Sequence, residues 1–226
     1  MNFAGSFRKI GDVDVGELAA LVDKFSDADW DAAEFRQRRY EVHRDTRTIP
    51  LVFDEDFRHS HPTRLPALQA FEQPLRPVLG LIAEFFEDTD EGQALTRQFG
   101  YGYFIRATLV NLRAGGTIDP HTDMNFSLAH SHRVHVPVDS NDGVEFTVGG
   151  ETRVLKPGEV VEINNRRRHF VENKGATDRV HLILDFVLPG ERCCCGALLH
   201  PDTVCSPMAC RPTDHLEIPC NCHPES

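Results

Sequence analysis

A change in hydrophobic periodicity near residue 100 constrains the fold of this chain most strongly. From Tyr101 to Pro189, apolar side chains tend to recur at every second position, which indicates strands that bury one face. Turns containing glycine or proline separate the runs, and no helical spacing interrupts them. Because parallel strands need long, usually helical crossovers, this pattern favours antiparallel strands closed into a jelly roll or barrel.

Six strands are predicted in this half of the chain. Gly149-Gly150 suits a two-residue hairpin turn, and Pro157-Gly158 marks a second turn. The predicted strands are Tyr101–Leu112, Arg133–Val138, Val144–Val148, Glu151–Leu155, Val160–Asn164 and Val180–Leu188.

The first hundred residues mix helical and strand spacing. Helical spacing covers Val15–Phe25 and Leu65–Phe86, and Pro74 and Pro77 are expected to kink or split the second helix. Short strands are predicted at Arg38–His43 and Thr48–Phe53. The fold class is therefore mainly β with N-terminal helices around a double-stranded β-helix (jelly roll, cupin-like) core. We expect an N-terminal support at 1–100, the core at 101–190 and a tail at 191–226.

Composition excludes several classes of protein. The 226 residues contain 24 Lys and Arg against 35 Asp and Glu, a net charge of −11. A general nucleic-acid binder or an anionic-membrane binder needs a basic surface, so we expect neither partner. The longest apolar stretches are too short to span a bilayer. The N-terminus lacks the apolar segment of a signal peptide, so the cytoplasm is the expected compartment.

Two histidines and one carboxylate in the strand-rich half are candidate metal ligands. His121 and Asp123 are two residues apart between predicted strands, and His169 follows a later strand. Four other His-x-Asp/Glu pairs occur in the chain, so the spacing alone is a weak signal. Two histidines and one carboxylate that leave further positions open are typical of non-haem Fe(II) oxygenases. Arg179, at the start of the last strand, suits the far carboxylate of 2-oxoglutarate.

A second pair of polar residues lies on the strand Arg133–Val138. Alternation places Arg133 and His135 on one face, which is either the barrel interior or solvent. If the face is interior, the two side chains need an anionic partner, such as the keto-acid carboxylate. Asn111, on the preceding strand, is a further candidate to line the cofactor site by alternation.

Other interpretations of these residues remain open. His130 and His132 are able to join His121 and His135 in a histidine-rich zinc or copper site. The chain is alternatively a non-catalytic, cupin-like metal-binding or sensor protein, or a different enzyme class on the same barrel. Arg179 alone is also explained by an ordinary ion pair at a strand entrance.

The order of residues from Ala114 to Asp185 resembles the aspartyl/asparaginyl β-hydroxylase family of Fe(II)/2-oxoglutarate-dependent dioxygenases. The spacing of 48 residues from His121 to His169, and of 10 from His169 to Arg179, suits the family. The resemblance rests on Arg113-Ala114-Gly115-Gly116, Pro120-His121-Thr122-Asp123, Arg133-Val134-His135-Val136-Pro137, Pro157-Gly158-Glu159, Asn164-Asn165, His169, Asn173-Lys174-Gly175, Arg179-Val180-His181-Leu182 and Asp185.

The resemblance implies an enzyme that couples the conversion of 2-oxoglutarate and O₂ to succinate and CO₂ with hydroxylation of a substrate C–H bond. It implies His121, Asp123 and His169 as Fe(II) ligands, with Arg179, Arg133 and His135 around the cosubstrate. Animal members that hydroxylate peptides have glycine at the position of Asp123. In having a carboxylate there, this chain resembles bacterial members that act on free amino acids or small peptides. The implied substrate is an amino-acid side chain, free or within a peptide, hydroxylated as by an aspartyl/asparaginyl β-hydroxylase or by a proline hydroxylase.

All seven cysteines follow residue 192. An odd number confined to one end does not indicate a disulfide framework for the whole fold. Cys205, Cys210, Cys220 and Cys222 are candidate ligands of a zinc ion that would supply folding energy to a segment with few apolar residues. A disordered, reduced tail is the alternative.

Overall fold

Within its described residues, the chain forms five helices and eleven strands. The computed structural model describes residue 3 and residues 5–31, 45–54, 62–123 and 126–191. The helices are α1 (Gly16–Val22), α2 (Asp27–Asp31), α3 (Leu68–Glu87), α4 (Asp90–Phe99) and α5 (Phe126–Ala129). The strands are β1 (Phe7–Asp12), β2 (Thr46–Asp54), β3 (Pro62–Arg64), β4 (Tyr103–Leu112), β5 (Thr117–His121), β6 (His132–Asp139), β7 (Val144–Val148), β8 (Glu151–Arg153), β9 (Glu159–Ile163), β10 (His169–Asn173) and β11 (Arg179–Val187).

These strands form two antiparallel sheets. The seven-stranded sheet has the order β1-β9-β6-β11-β4-β2-β3, and the four-stranded sheet has the order β5-β10-β7-β8. Strands distant in sequence are neighbours in both sheets, as in a jelly roll. The predicted fold class, a mainly β protein with N-terminal helices and a double-stranded β-helix core, is confirmed. The N-terminal hundred residues also supply three strands of the larger sheet, namely β1, β2 and β3.

Alternation along β11 separates a structural face from a functional face. Val180, Leu182, Leu184 and Phe186 belong to a large apolar cluster shared with α1 and α3. The intervening residues, beginning with Arg179, therefore point to the opposite face, toward the smaller sheet. A second apolar cluster, which includes Leu112, Phe146, Ile163 and Val171, joins the two sheets across the barrel interior.

Helix α3 is continuous, although Pro74 and Pro77 lie inside it. Of the two predicted outcomes, the split is therefore wrong, and the kink stays a prediction. Each proline removes one backbone hydrogen bond, but a buried stripe offsets that cost by packing on the sheet. Leu68, Phe71, Leu75, Val78, Ile82 and Phe86 form the stripe.

The predicted hairpin turn is confirmed at Gly149-Gly150, between β7 and β8. The two glycines have φ values of 54° and 84°. These positive values fit a primed turn, which is strained for residues with a Cβ atom. Several other elements had no sequence prediction, including β1, β5, β10 and α4. The predicted strand Arg38–His43 and the tail beyond residue 191 lie outside the described residues.

No helix in the described ranges is long and apolar enough to cross a membrane.

The attachment of α3 to the sheet is testable with two adjacent residues. Leu75 is 1% exposed, whereas Arg76 is exposed on the same helix. Leu75→Ala leaves a cavity and is expected to lower the free energy of unfolding by about 2–5 kcal/mol. Arg76→Ala is expected to change it by less than about 0.5 kcal/mol. Urea denaturation measures both values, and equal effects would contradict the assigned packing.

Candidate metal centre

The pairing of β5 with β10 brings the two predicted histidine ligands together. His121 ends β5, His169 begins β10, and the two are direct partners in the antiparallel register. Directly opposed residues project from the same face of a sheet. Their ring centroids are 4.3 Å apart. Two residues 48 positions apart in sequence therefore share one site because of a single strand pairing.

Asp123 completes this group two residues beyond the end of β5. Its backbone N–H donates to the carbonyl oxygen of Asn165 at 3.2 Å. Its carboxylate lies 4.0 Å from Nε2 of His121 and 3.8 Å from Nε2 of His169. One ligand atom from each of the three residues lies within 4.8 Å of the other two. Within the described residues, this is the one group of three His, Cys, Asp or Glu side chains with that geometry.

Backbone carbonyls orient both imidazole rings. Nδ1 of His121 lies 2.7 Å from the carbonyl oxygen of Asp119, and Nδ1 of His169 lies 2.9 Å from that of Arg167. In each pair Nδ1–H is the donor, so Nε2 carries the lone pair that a metal needs. Burial lowers the pKa of His169 to about 4, which keeps this ring neutral near pH 7.

Arg133 lies beside the candidate metal ligands and is held by carboxylates. Nε and Nη2 donate to Asp185 at 2.9 and 2.8 Å, and Nη1 donates to Oδ2 of Asp123 at 2.9 Å. Burial opposes the charge of this guanidinium, but Asp123 and Asp185 together raise its pKa above the usual value. The strand face that the sequence left open is therefore the barrel interior, and its arginine already has anionic partners.

Arg179 is the contrasting case, a buried cation that lacks an anionic partner in the described part of the chain. It is 0% exposed. Nη2 lies 2.5 Å from Nδ1 of His181, while Nε and Nη1 have no hydrogen-bond partner. Burial lowers the pKa of Arg179 to about 9. Since an uncompensated buried charge is costly, this side chain is suited to an anionic ligand.

Two neutral histidines lie next to Arg179. Nδ1 of His135 is 3.4 Å from Nδ1 of His181. Burial, followed by the charge of Arg179, holds the pKa of each ring well below its usual value. Their Nε2 atoms are buried without a partner among the described residues. Together with Arg179 they form a buried wall of polar atoms that lack partners among the described residues, which a polar ligand is able to satisfy.

Asn111 does not join this wall, so its predicted place in the cofactor site is wrong. It pairs in register with Val180 of β11 and Arg47 of β2. Val180 belongs to the helix-covered cluster, so alternation places Asn111 on that outer face. The sequence suggested alternation along β4 but did not show which of its two faces points inward.

His132 lies outside the metal centre, which argues against a histidine-rich zinc or copper site. Its two ring nitrogens each lie 2.7 Å from a carboxylate oxygen, one of Glu162 and one of Glu191. Its ring also stacks on Phe86 of α3, with centroids 3.8 Å apart. These contacts hold His132 on the helical side of the sheet.

The predicted zinc ligands Cys205, Cys210, Cys220 and Cys222 lie outside the described residues, and that site stays a prediction.

The residues present fit a metal and a keto acid. Two histidines and one carboxylate match the ligand set that non-haem Fe(II) oxygenases use while leaving coordination positions open. Nε and Nη1 of Arg179, which have no partner among the described residues, offer charged donors to the carboxylate of a bound diacid from either edge of the guanidinium.

A family model described as aspartyl/asparaginyl β-hydroxylase matches residues 93–189. The resemblance inferred from the sequence is thereby confirmed for the region that contains all three candidate metal ligands. The expected enzyme class, a 2-oxoglutarate-dependent oxygenase, is confirmed at the level of the aspartyl/asparaginyl β-hydroxylase family.

Solved structures with a similar fold include 2-oxoglutarate oxygenases. An oxidoreductase of the 2OG-Fe(II) oxygenase family from Burkholderia pseudomallei is 17% identical, with 78% of this chain and 91% of that chain covered and a TM-score of 0.49. A prolyl-4-hydroxylase from Pseudomonas putida is 14% identical, covering 82% and 92%, with a TM-score of 0.46. A viral collagen prolyl hydroxylase from Paramecium Bursaria Chlorella virus-1 is 10% identical, covering 81% and 96%, also at 0.46. Similarity this low carries no substrate over to this chain. No curated protein matches it.

Metal binding by the centre is testable with Mn(II), which is stable in air and suits imidazole and carboxylate ligands. Asp123→Asn removes a charged ligand and is expected to weaken Mn(II) binding by more than about 100-fold, since even residues behind the ligands typically contribute 10–100-fold. Glu172→Gln is the matched control, because Glu172 is a partly exposed carboxylate on β10. Electron paramagnetic resonance of free Mn(II) measures both affinities. Equal affinity in the two variants would contradict the assignment of Asp123 as a ligand.

Proposed function

We propose that this protein is an Fe(II)/2-oxoglutarate-dependent dioxygenase that hydroxylates an amino-acid side chain, either free or within a peptide. The observation that carries the proposal is the convergence of His121, Asp123 and His169 within 4.8 Å. The family match over residues 93–189 supports it. The candidate side chains are aspartyl and asparaginyl, which the description of the matching family names, and prolyl.

His121, Asp123 and His169 would hold the Fe(II). When bound, iron together with 2-oxoglutarate and O₂ supplies the oxidation that inserts oxygen into a substrate C–H bond, with succinate and CO₂ as coproducts. The protein keeps the two histidines oriented through their Nδ1 hydrogen bonds. Asp123 contributes a negative charge that offsets part of the charge of the divalent ion.

Arg179 would bind the distal carboxylate of 2-oxoglutarate. Nε and Nη1 are unpartnered and buried, so they have no competing bond to break before they donate. These two nitrogens face different edges of the guanidinium, so either one is able to donate a charge-assisted hydrogen bond to the carboxylate. The bound anion would also raise the pKa of Arg179 from about 9 toward its usual value. His135, with its unpartnered Nε2, is the second candidate contact for the cosubstrate.

A non-catalytic metal-binding or sensor protein is the alternative function. The three metal ligands alone are consistent with this function, since a cupin-like barrel is able to hold a metal ion whether or not it is an enzyme. The buried, unpaired Arg179 does not fit it, because such a protein gains nothing that offsets the cost of an uncompensated charge. The oxygenase accounts for both observations. The expected cytoplasmic location and the expected absence of nucleic-acid partners stay predictions.

The direct experiment is aerobic turnover of 2-oxoglutarate by the Fe(II)-loaded protein with a panel of free amino acids and short peptides. The panel contains aspartyl, asparaginyl, prolyl and arginyl side chains. We expect succinate to form faster with one class than in its absence, together with a substrate mass gain of one oxygen atom. Absence of succinate above the metal-free background with every member would favour the sensor function.

The role of Arg179 is testable through the Michaelis constant for 2-oxoglutarate. Arg179→Gln removes charge-assisted hydrogen bonds worth about 1.5–3 kcal/mol, so we expect KM to rise by about 10–100-fold. The control is Arg153→Gln, because Arg153 is 44% exposed and pairs with Glu151 on the surface. An unchanged KM in Arg179→Gln would show that the cosubstrate carboxylate binds elsewhere.

A further inference from the structure

Charged side chains of alternating sign cross the interior of the larger sheet and end at the metal centre. Asp185 of β11 is the register partner of Arg106 on β4 and of Arg133 on β6. Nε of Arg106 donates to Asp54 at the end of β2, and Arg133 donates to Asp123. We call these five residues the charge row. Each exposes at most 7% of its surface.

The position of the charge row on the sheet follows from strand register. Residues directly opposed across neighbouring strands project from the same face, so Arg106, Asp185 and Arg133 lie side by side on one face. Arg133 reaches Asp123, which identifies that face as the one toward the metal centre. With three carboxylates and two guanidinium groups, the charge row has a net charge of −1. A divalent cation beside Asp123 would compensate that charge.

We propose that Arg133 and Asp185 are positioning residues for the metal carboxylate, rather than contacts for 2-oxoglutarate. The inference rests on the proposed function, since it assumes that Asp123 is a ligand. Asp185 accepts two hydrogen bonds from Arg133 at 2.8 and 2.9 Å, which fixes the plane of the guanidinium. The remaining bond, from Nη1 to Oδ2 of Asp123 at 2.9 Å, then fixes the rotation of the carboxylate.

The same charge row also holds the chain just beyond Asp123. Nη2 of Arg106 donates to the hydroxyl of Ser127 at 3.0 Å, and Ser127 is four residues after Asp123. Asn165 donates to the carbonyl oxygen of Leu128 at 2.7 Å. The two arginines therefore contact the chain on either side of a short stretch that directly follows the metal carboxylate. Such support behind a ligand commonly determines metal affinity.

The division of roles between two arginines explains why both are buried. Arg133 has carboxylate partners on two sides, and its fork geometry is needed to bridge them, which a lysine point charge does not reproduce. Arg179 has no carboxylate partner among the described residues, and its Nε and Nη1 are unpartnered. The first arginine therefore acts on the metal ligand, and the second is available to the cosubstrate.

The test measures Mn(II) affinity by electron paramagnetic resonance, and then 2-oxoglutarate affinity at saturating Mn(II) by thermal shift. We expect Asp185→Asn and Arg133→Gln each to weaken Mn(II) binding by about 10–100-fold. We expect the 2-oxoglutarate affinity of the metal-loaded variants to change by less than about 3-fold, within the usual context dependence of independent sites. Arg133→Lys should not restore Mn(II) affinity.

Arg133→Gln separates positioning from simple electrostatics. It removes a positive charge close to a divalent cation, so electrostatics alone predicts tighter Mn(II) binding. Positioning predicts weaker binding. If the single variant does not fold, the double variant Arg133→Gln/Asp185→Asn removes one cation and one anion together, and the same loss of affinity is expected.

Glu162→Gln is the matched control for folding. Glu162 is a carboxylate on β9, 1% exposed, paired with Arg8 and His132 but outside the charge row. It should lose stability and keep Mn(II) affinity. Equal losses of Mn(II) affinity in Glu162→Gln and Asp185→Asn would overturn the inference. Unchanged Mn(II) affinity together with weaker 2-oxoglutarate binding in Asp185→Asn would also overturn it. Failure of the wild-type protein to bind Mn(II) would instead contradict the proposed function and the inference with it.

Discussion

The antiparallel pairing of β5 with β10 is the constraint on which the metal centre depends. It places His121 opposite His169, so that two rings from distant parts of the chain share one face of the smaller sheet. Two carbonyl oxygens, of Asp119 and Arg167, then fix the rings. Asp123 enters from the end of β5. A slip of one residue in this register would turn one ring to the opposite face and destroy the site.

Buried charge is distributed unevenly inside the barrel, and this distribution suits the binding of two ligands. The charge row ends with an excess of negative charge beside the two histidines. At the start of β11, Arg179 is a positive charge that no described residue neutralises, with neutral histidines around it. A divalent cation at the first place and a dicarboxylate at the second would each remove a cost that the protein otherwise bears. The interior is therefore arranged for two ligands of opposite charge side by side.

Strong apolar alternation made five strands of the larger sheet predictable from sequence, namely β2, β4, β6, β9 and β11. The strand β11 is nearly continuous in apolar character, and in the smaller sheet Gly149-Gly150 correctly marked the hairpin between β7 and β8. The strands β5 and β10 escaped prediction for a physical reason. The inward positions of β10 are His169, Val171 and Asn173, so polar side chains interrupt the pattern that alternation analysis depends on. The two strands that carry the histidine ligands are therefore the ones that periodicity missed.

The candidate site was partly predictable. His121, Asp123, His169 and Arg179 stood out by residue type and by the family resemblance, and the structure brings the first three into one group. The partner of Arg133 was not predictable, because only the register places Asp185 beside it. The prediction for Asn111 was wrong because alternation along a strand does not show which of its two faces points inward. Long-range pairing, rather than local sequence, supplies that information.

The most direct test of the account is the visible spectrum of the wild-type protein with Fe(II) and 2-oxoglutarate under anaerobic conditions. Three protein ligands that leave adjacent positions open allow the keto acid to chelate the metal, which produces a weak visible charge-transfer band. We predict that this band appears on addition of 2-oxoglutarate to the Fe(II)-loaded protein and is absent when Fe(II) is omitted. Tight Fe(II) binding with no band at saturating 2-oxoglutarate would contradict the assignment of this barrel as a 2-oxoglutarate-dependent oxygenase.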